Sequence, residues 1–106
     1  METNVGIGLT TCPNMRNAKM IVRSLLESKI VSCGQVDGPI LSIYTWQNDL
    51  VESEEWRVVL KFKIENHHDI LKQIKILHEY DVPQWVYWES SSSKECAQWI
   101  HDPSAC

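Results

Sequence analysis

Four cysteines and four histidines are the residues of this 106-residue chain best suited to nucleophilic or metal chemistry. Cys12, Cys33, Cys96 and Cys106 stand 21, 63 and 10 residues apart, with no Cys-x-x-Cys pair to frame a structural zinc ion. His67 and His68 are adjacent, so on a helix they point about 100° apart and read as a solvated helix start. His78, followed by Glu79, sits where a helix should close, a place that suits an imidazolium near the negative end of the helix dipole. Cys12 falls where a first strand meets a first helix, and a helix N-terminus lowers a thiol pKa, so Cys12 is the most reactive thiol on this reading. Cys33 lies within a strand pattern, as a small buried apolar residue would. Glu52, Glu54 and Glu55 form a charge run that reads as a solvated face. Arg16 follows Thr11-Cys12-Pro13-Asn14 without the glycine-rich turn that a phosphate cradle needs, so no hydrolase constellation is spelled out.

The elements that position these residues follow from periodicity. Val5, Ile7 and Leu9 alternate with Gly6 and Gly8, a short strand with one bare face that predicts close packing against a neighbouring backbone. Asn14 caps a helix whose core face is Met15, Ala18, Ile21, Val22 and Leu25. Strand pattern runs over 30–36, breaks at Gly38-Pro39 and resumes over 40–46, before turn chemistry at Gln47-Asn48-Asp49. Trp56, Val58, Leu60, Phe62 and Ile64 alternate cleanly, so 30–64 reads as a hairpin of two long antiparallel strands. Asn66 with Asp69 imitates a capping box before a helix over 67–78, which Asp81-Val82-Pro83 ends. An aromatic strand over 84–89, a serine linker over 90–93 and a short helix begun by a Ser92/Glu95 box complete the chain. The order strand, helix, strand, strand, helix, strand predicts one α+β domain over 1–106, a ferredoxin-like βαββαβ sandwich with a long central hairpin and a short C-terminal helix.

Composition removes several functions. No apolar run approaches the ~18 residues of a membrane span, and the net charge of −4 without a basic stripe argues against nucleic acid. Met-Glu-Thr-Asn-Val does not read as a signal peptide, so the thiols are expected to stay reduced in the cytoplasm. Five Trp, three Tyr and one Phe are more aromatic surface than so small a domain hides easily. With both helices expected on one face of the sheet, strands 40–46 and 84–89 are apolar on both sides. That pattern calls for a partner subunit as cover.

Four segments in order, Lys29-Ile30-Val31-Ser32-Cys33, Ser42-Ile43-Tyr44-Thr45-Trp46, Leu60-Lys61-Phe62-Lys63 and His78-Glu79-Tyr80-Asp81-Val82-Pro83, resemble the CutA family of divalent-ion tolerance proteins from about Gly6 to Ile100. The resemblance implies a tight homotrimer with hairpins engaging neighbours, a role in tolerance to copper and other divalent metals, no enzymatic reaction, and an unidentified protein partner. Copper-binding members are credited with a Cys at the end of strand one and a His-His pair just before a Pro-Tyr turn. Thr10 stands at that Cys and Leu77 at the first His, His78 matches the second, and Gln84 replaces a Glu. Cys12, on the same strand face as Thr10, is the soft donor that remains, so the implied copper pair is Cys12 and His78. Trp46, Tyr44, Tyr80, Gln84 and Cys33 are the residues implied for a ligand cleft or trimer interface. The architecture is also similar to that of the PII signalling proteins, which implies an alternative role as a small-molecule module with a cleft between subunits.

Overall fold

The computed structural model describes residues 3–103. Asn4–Cys12 (β1) leads to Met15–Glu27 (α1), and Cys33–Trp46 (β2) and Asp49–Phe62 (β3) form the hairpin. A 3-10 turn over Ile64–Asn66 enters His67–Leu77 (α2), followed by Val86–Ser91 (β4) and Lys94–His101 (α3). The strands form one antiparallel sheet in the order β2-β3-β1-β4, the ferredoxin-like arrangement.

Each element has a local cause. Asn14 accepts from the Asn17 N–H at 2.8 Å and so satisfies one orphan donor of α1. Ala18, Ile21, Val22 and Leu25 are buried as the spacing predicts, but Met15 is exposed and Asn17 takes the buried position in the first turn. Gln47 and Asn48 both adopt positive φ, the two-residue turn whose twist matches a hairpin. Gly38-Pro39 does not end a strand. It forms a bulge between Asp37 and Ile40, opposite one residue of β3, and pairing resumes beyond it. Pairing runs from Cys33 to Trp46, so the hairpin stretches the chain to 47 Å along one axis.

Several expected boundaries shift. Ile30 and Val31 precede β2, and Ile64 turns into the 3-10 segment after β3. Glu52–Glu55 lie inside β3, which begins at Asp49. The Asn66 side chain does not cap α2; its amide donates to the Ile30 carbonyl at 3.1 Å. β4 begins two residues late and takes in Ser90 and Ser91, paired with Val5 and Asn4. Ser93, not Ser92, caps α3 by accepting from the Cys96 N–H, while the Ser92 hydroxyl donates to the Thr3 carbonyl.

α1 and α2 pack with Val58, Leu60 and Phe62 in a core that also takes in Cys12, Ile70 and Ile74. α3 goes elsewhere. Ala97 and Ile100 bury Val5, whose side chain alternates away from Gly6, so α1 and α2 share one face as expected and only the short C-terminal helix lies on the other. Beyond α3, the rest of that second face stays open. Ile7, Leu9, Val59 and Trp88 line a shallow depression on it.

The bare positions of β1 serve side chains, not a neighbouring backbone. A Cβ on Gly6 would lie 2.5 Å from the Phe62 ring, and one on Gly8 would lie 2.2 Å from the Trp85 ring. Phe62 is fully buried and has nowhere to move. Gly6→Ala is therefore expected to destabilise the fold by about 1–3 kcal/mol through overpacking, read as a lowered urea midpoint; an unchanged midpoint would show that the ring relocates freely.

Candidate functional site

Thr10 and Cys12 end β1 on the face that meets α1, and Leu77 ends α2, which leaves His78 in extended backbone turned back over that strand end. His78 is 8% exposed, and Thr10 and Cys12 are fully buried. The Tyr80 N–H donates to His78 Nδ1 at 3.1 Å, which places the ring proton on Nε2. Nε2–H then donates to the Thr11 carbonyl at 2.8 Å, with Thr10 Oγ1 at 3.3 Å and Cys12 Sγ at 3.7 Å around it. The imidazole thus bridges β1 and the α2–β4 connection.

Asn17 secures the connection from the other side. Its amide donates to the Leu77 carbonyl at 3.1 Å, and its Oδ1 accepts from the Glu79 N–H at 3.3 Å. Asn14 reaches Glu79 Oε1 at 3.1 Å. The Tyr80 hydroxyl donates to Glu55 Oε2 at 2.8 Å, and Glu55 is only 6% exposed, so this glutamate is not on a solvated face. A carboxylate removed from water needs such a donor.

The electrostatics follow from burial. Burial pushes the Cys12 thiol up to about 12, and the Glu55 and Glu79 carboxylates push the same way. The thiolate expected at a helix N-terminus does not form, because desolvation and two nearby anions oppose it. Burial lowers the His78 pKa, with the Thr11 carbonyl and the Glu79 and Glu55 carboxylates acting against that shift. Burial first, and then the Glu55 hydrogen bond and charge, raise the Tyr80 hydroxyl far above its ordinary range. A neutral thiol beside a neutral imidazole is not an activated nucleophile.

The donor set can be compared with copper or another divalent ion on the same grounds. Cys12 and His78 are brought together, but the thiol holds its proton and both ring nitrogens are occupied. Among the described residues no group of three or more His, Cys, Asp and Glu side chains converges. As folded, these residues do not fit a resident metal ion.

Against this geometry the known proteins can be set. The family model described as "CutA1 divalent ion tolerance protein" matches residues 7–103. The chain belongs to this family. It is 27% identical over 95 residues to the divalent-cation tolerance protein CutA of Thermus thermophilus, covering 89% of this chain and 92% of the relative. The solved structure of the Thermus thermophilus protein superimposes with a TM-score of 0.89 at 26% identity, over 92% of this chain and 96% of that one. The structure of a protein described as the periplasmic divalent cation tolerance protein CutA of Archaeoglobus fulgidus gives 0.86 at 25% identity, over 91% and 94%. Among the described residues no helix of this family member is long and apolar enough to cross a membrane.

The residues implied for a cleft scatter in the single chain. Tyr80 joins the cluster, its ring 5.1 Å from that of His78. Tyr44 lies out on the hairpin with its hydroxyl 3.4 Å from Ser53 Oγ, and Trp46 pairs with Asp49 at the tip. Gln84 is exposed in the α2–β4 connection, and Cys33 starts β2 opposite Lys61. Cys106 falls outside the described residues. The sequence reading passed over Asn17, although its place three residues after Asn14 and four before Ile21 puts it on the buried stripe of α1.

Proposed function

We propose that the protein acts as a homotrimer in divalent-cation tolerance and catalyses no reaction of its own. The observation that carries this reading is the apolar surface a single chain leaves open. Ile7, Leu9, Val59 and Trp88 line the uncovered sheet face, and Leu41, Ile43, Trp46 and Leu50 are exposed on the hairpin. Two further copies of the chain would cover both, with each hairpin reaching a neighbour. Sedimentation at micromolar concentration is expected to give about three times the 12.3 kDa chain mass; a stable monomer would overturn the reading.

Copper enters as cargo and not as a resident ion. Cys12 and His78 are the donors we assign to it, and a soft thiolate beside an imidazole suits Cu(I). Binding there costs the Cys12 proton and the His78–Thr11 hydrogen bond, so the affinity is weak and rises with pH. Titration of the reduced protein with Cu(I) is expected to lose this component in both Cys12→Ser and His78→Ala. Unchanged stoichiometry and affinity in both variants would remove the assignment. A cytoplasmic setting agrees with Cys12, Cys33 and Cys96 all being free thiols. The homotrimer would then present its hairpins to an unidentified protein partner.

A further inference from the structure

We propose that the cleft between the end of α1, the approach to β2 and the end of α3 binds a small aliphatic carboxylate. The cleft encloses about 330 Å³, at the lower end for organic ligands. Leu26, Ile30, Val31 and Ile100 give it an apolar lining, with Val31 and Ile100 almost wholly buried. Lys29 and Lys63 are among its lining residues, and among the described residues neither is in an ion pair. Asp102 also borders the cleft, which leaves these three side chains one positive charge in excess.

The backbone supports the same conclusion. The Lys29 N–H donates to the Leu26 carbonyl at 3.0 Å and the Ile30 N–H to the Leu25 carbonyl at 3.3 Å, the Schellman ending of α1. The residue after the cap is then left-handed, and Lys29 has φ 63°. Glycine takes this conformation without steric cost, whereas a lysine does not. The chain thus carries a strained residue at a point where a cationic residue lines the cleft, and strain of this kind gathers at ligand sites.

The cleft is also tied in place. The Ser32 hydroxyl donates to the Ile100 carbonyl, Asn66 holds the Ile30 carbonyl, and His101 Nε2 donates to the Asn4 carbonyl at 3.0 Å. A preformed cavity avoids the ordering cost of binding. Two cationic residues beside Leu26, Ile30, Val31 and Ile100 suit a short apolar chain with one carboxylate. A phosphate would prefer the forked donors of arginine, and the cleft has none.

The test is a ¹H–¹⁵N titration of the reduced full chain with sodium hexanoate, with hexylammonium chloride and sodium phosphate as separate arms at fixed ionic strength. Hexanoate is expected to give saturable shifts at Lys29, Ile30, Ser32, Ile100 and His101, and hexylammonium none. Lys29→Gly and Lys63→Gln should each weaken hexanoate about fivefold, as for a partly exposed ion pair. Lys29→Gly should at the same time raise Tm, because the strain is relieved, so lost binding cannot be confused with lost folding. The proposal is overturned if hexanoate gives no saturable shift, if hexylammonium moves the same amides with equal affinity, or if both lysine variants bind hexanoate like the wild type. Phosphate binding more tightly than hexanoate at these amides would overturn the carboxylate assignment.

Discussion

His78→Ala is expected to cost about 2–4 kcal/mol of stability, as the loss of a nearly buried ring and of two partly buried hydrogen bonds together. The Thr11 carbonyl loses its donor, the Tyr80 N–H loses its acceptor, and the α2–β4 connection loses its attachment to β1. The wild type should also depend on pH in a direction that burial fixes. His78 titrates below its ordinary value of 6.5 in the folded chain, while the unfolded chain keeps that value. Between the two values the unfolded state binds more protons, so stability rises with pH there. The contribution is complete above 6.5 and is lost as the pH falls from 6.5 through the folded value. Cys12, Glu55, Glu79 and Tyr80 also face the ring, but Cys12 and Tyr80 are neutral throughout this range. Urea unfolding at fixed protein concentration across about pH 5 to 7.5 measures the slope. His78→Gln removes the titrating group and should flatten it. A slope of equal size in His78→Gln would assign the pH dependence to the carboxylates.

Alternation and helical spacing were enough to read most of this fold. Val58, Leu60 and Phe62 keep one buried face that Trp56 extends half-buried, and the four apolar residues from Ala18 to Leu25 keep one stripe, so a single period explains each. The errors arose where several residues could do the same job. Four serines in a row offer two N-caps one residue apart, and only the pairing of Ser90 and Ser91 with Val5 and Asn4 decides that β4 runs on and Ser93 caps. Asn66 could cap α2 or hold the Ile30 carbonyl, and tertiary structure takes the amide for the second. Gly38-Pro39 reads as a break between two strand segments because proline cannot donate to a ladder, yet a bulge carries one strand past it.

The candidate site was legible in part for a related reason. Cys12 and His78 lie 66 residues apart and meet in the structure, and it was the family resemblance, not a local pattern, that joined them. Glu55 stands in a run of acids, and nothing local distinguishes it from Glu52 or Glu54. Its burial depends on a hydroxyl 25 residues further along the chain. The Lys29 cleft has no motif at all, since a lysine at a helix end is ordinary in sequence and unusual only in its φ.

Val59→Glu is expected to dissociate the proposed trimer while leaving the protomer folded. Val59 pairs with Leu9 on one side and Gln35 on the other, and it sits among Ile7, Leu9 and Trp88 on the face away from α1 and α2. Its neighbours in the chain, Val58 and Leu60, point into the core and are fully buried, so a change at 59 leaves that core intact. Burying an unpaired carboxylate costs several kcal/mol, and threefold symmetry repeats the cost in every subunit. The same carboxylate on an exposed sheet face costs the monomer almost nothing. Sedimentation should move to the single-chain mass with the circular dichroism unchanged, and Trp88 emission should shift to the red as water reaches it. Leu50→Glu supplies a second reading at the hairpin, where the side chain is 76% exposed in one chain; if the hairpin engages a neighbour, this change also weakens assembly. Val59→Glu protein that sediments with the wild type would show that this face stays open, and the exposed tryptophans would then need another partner.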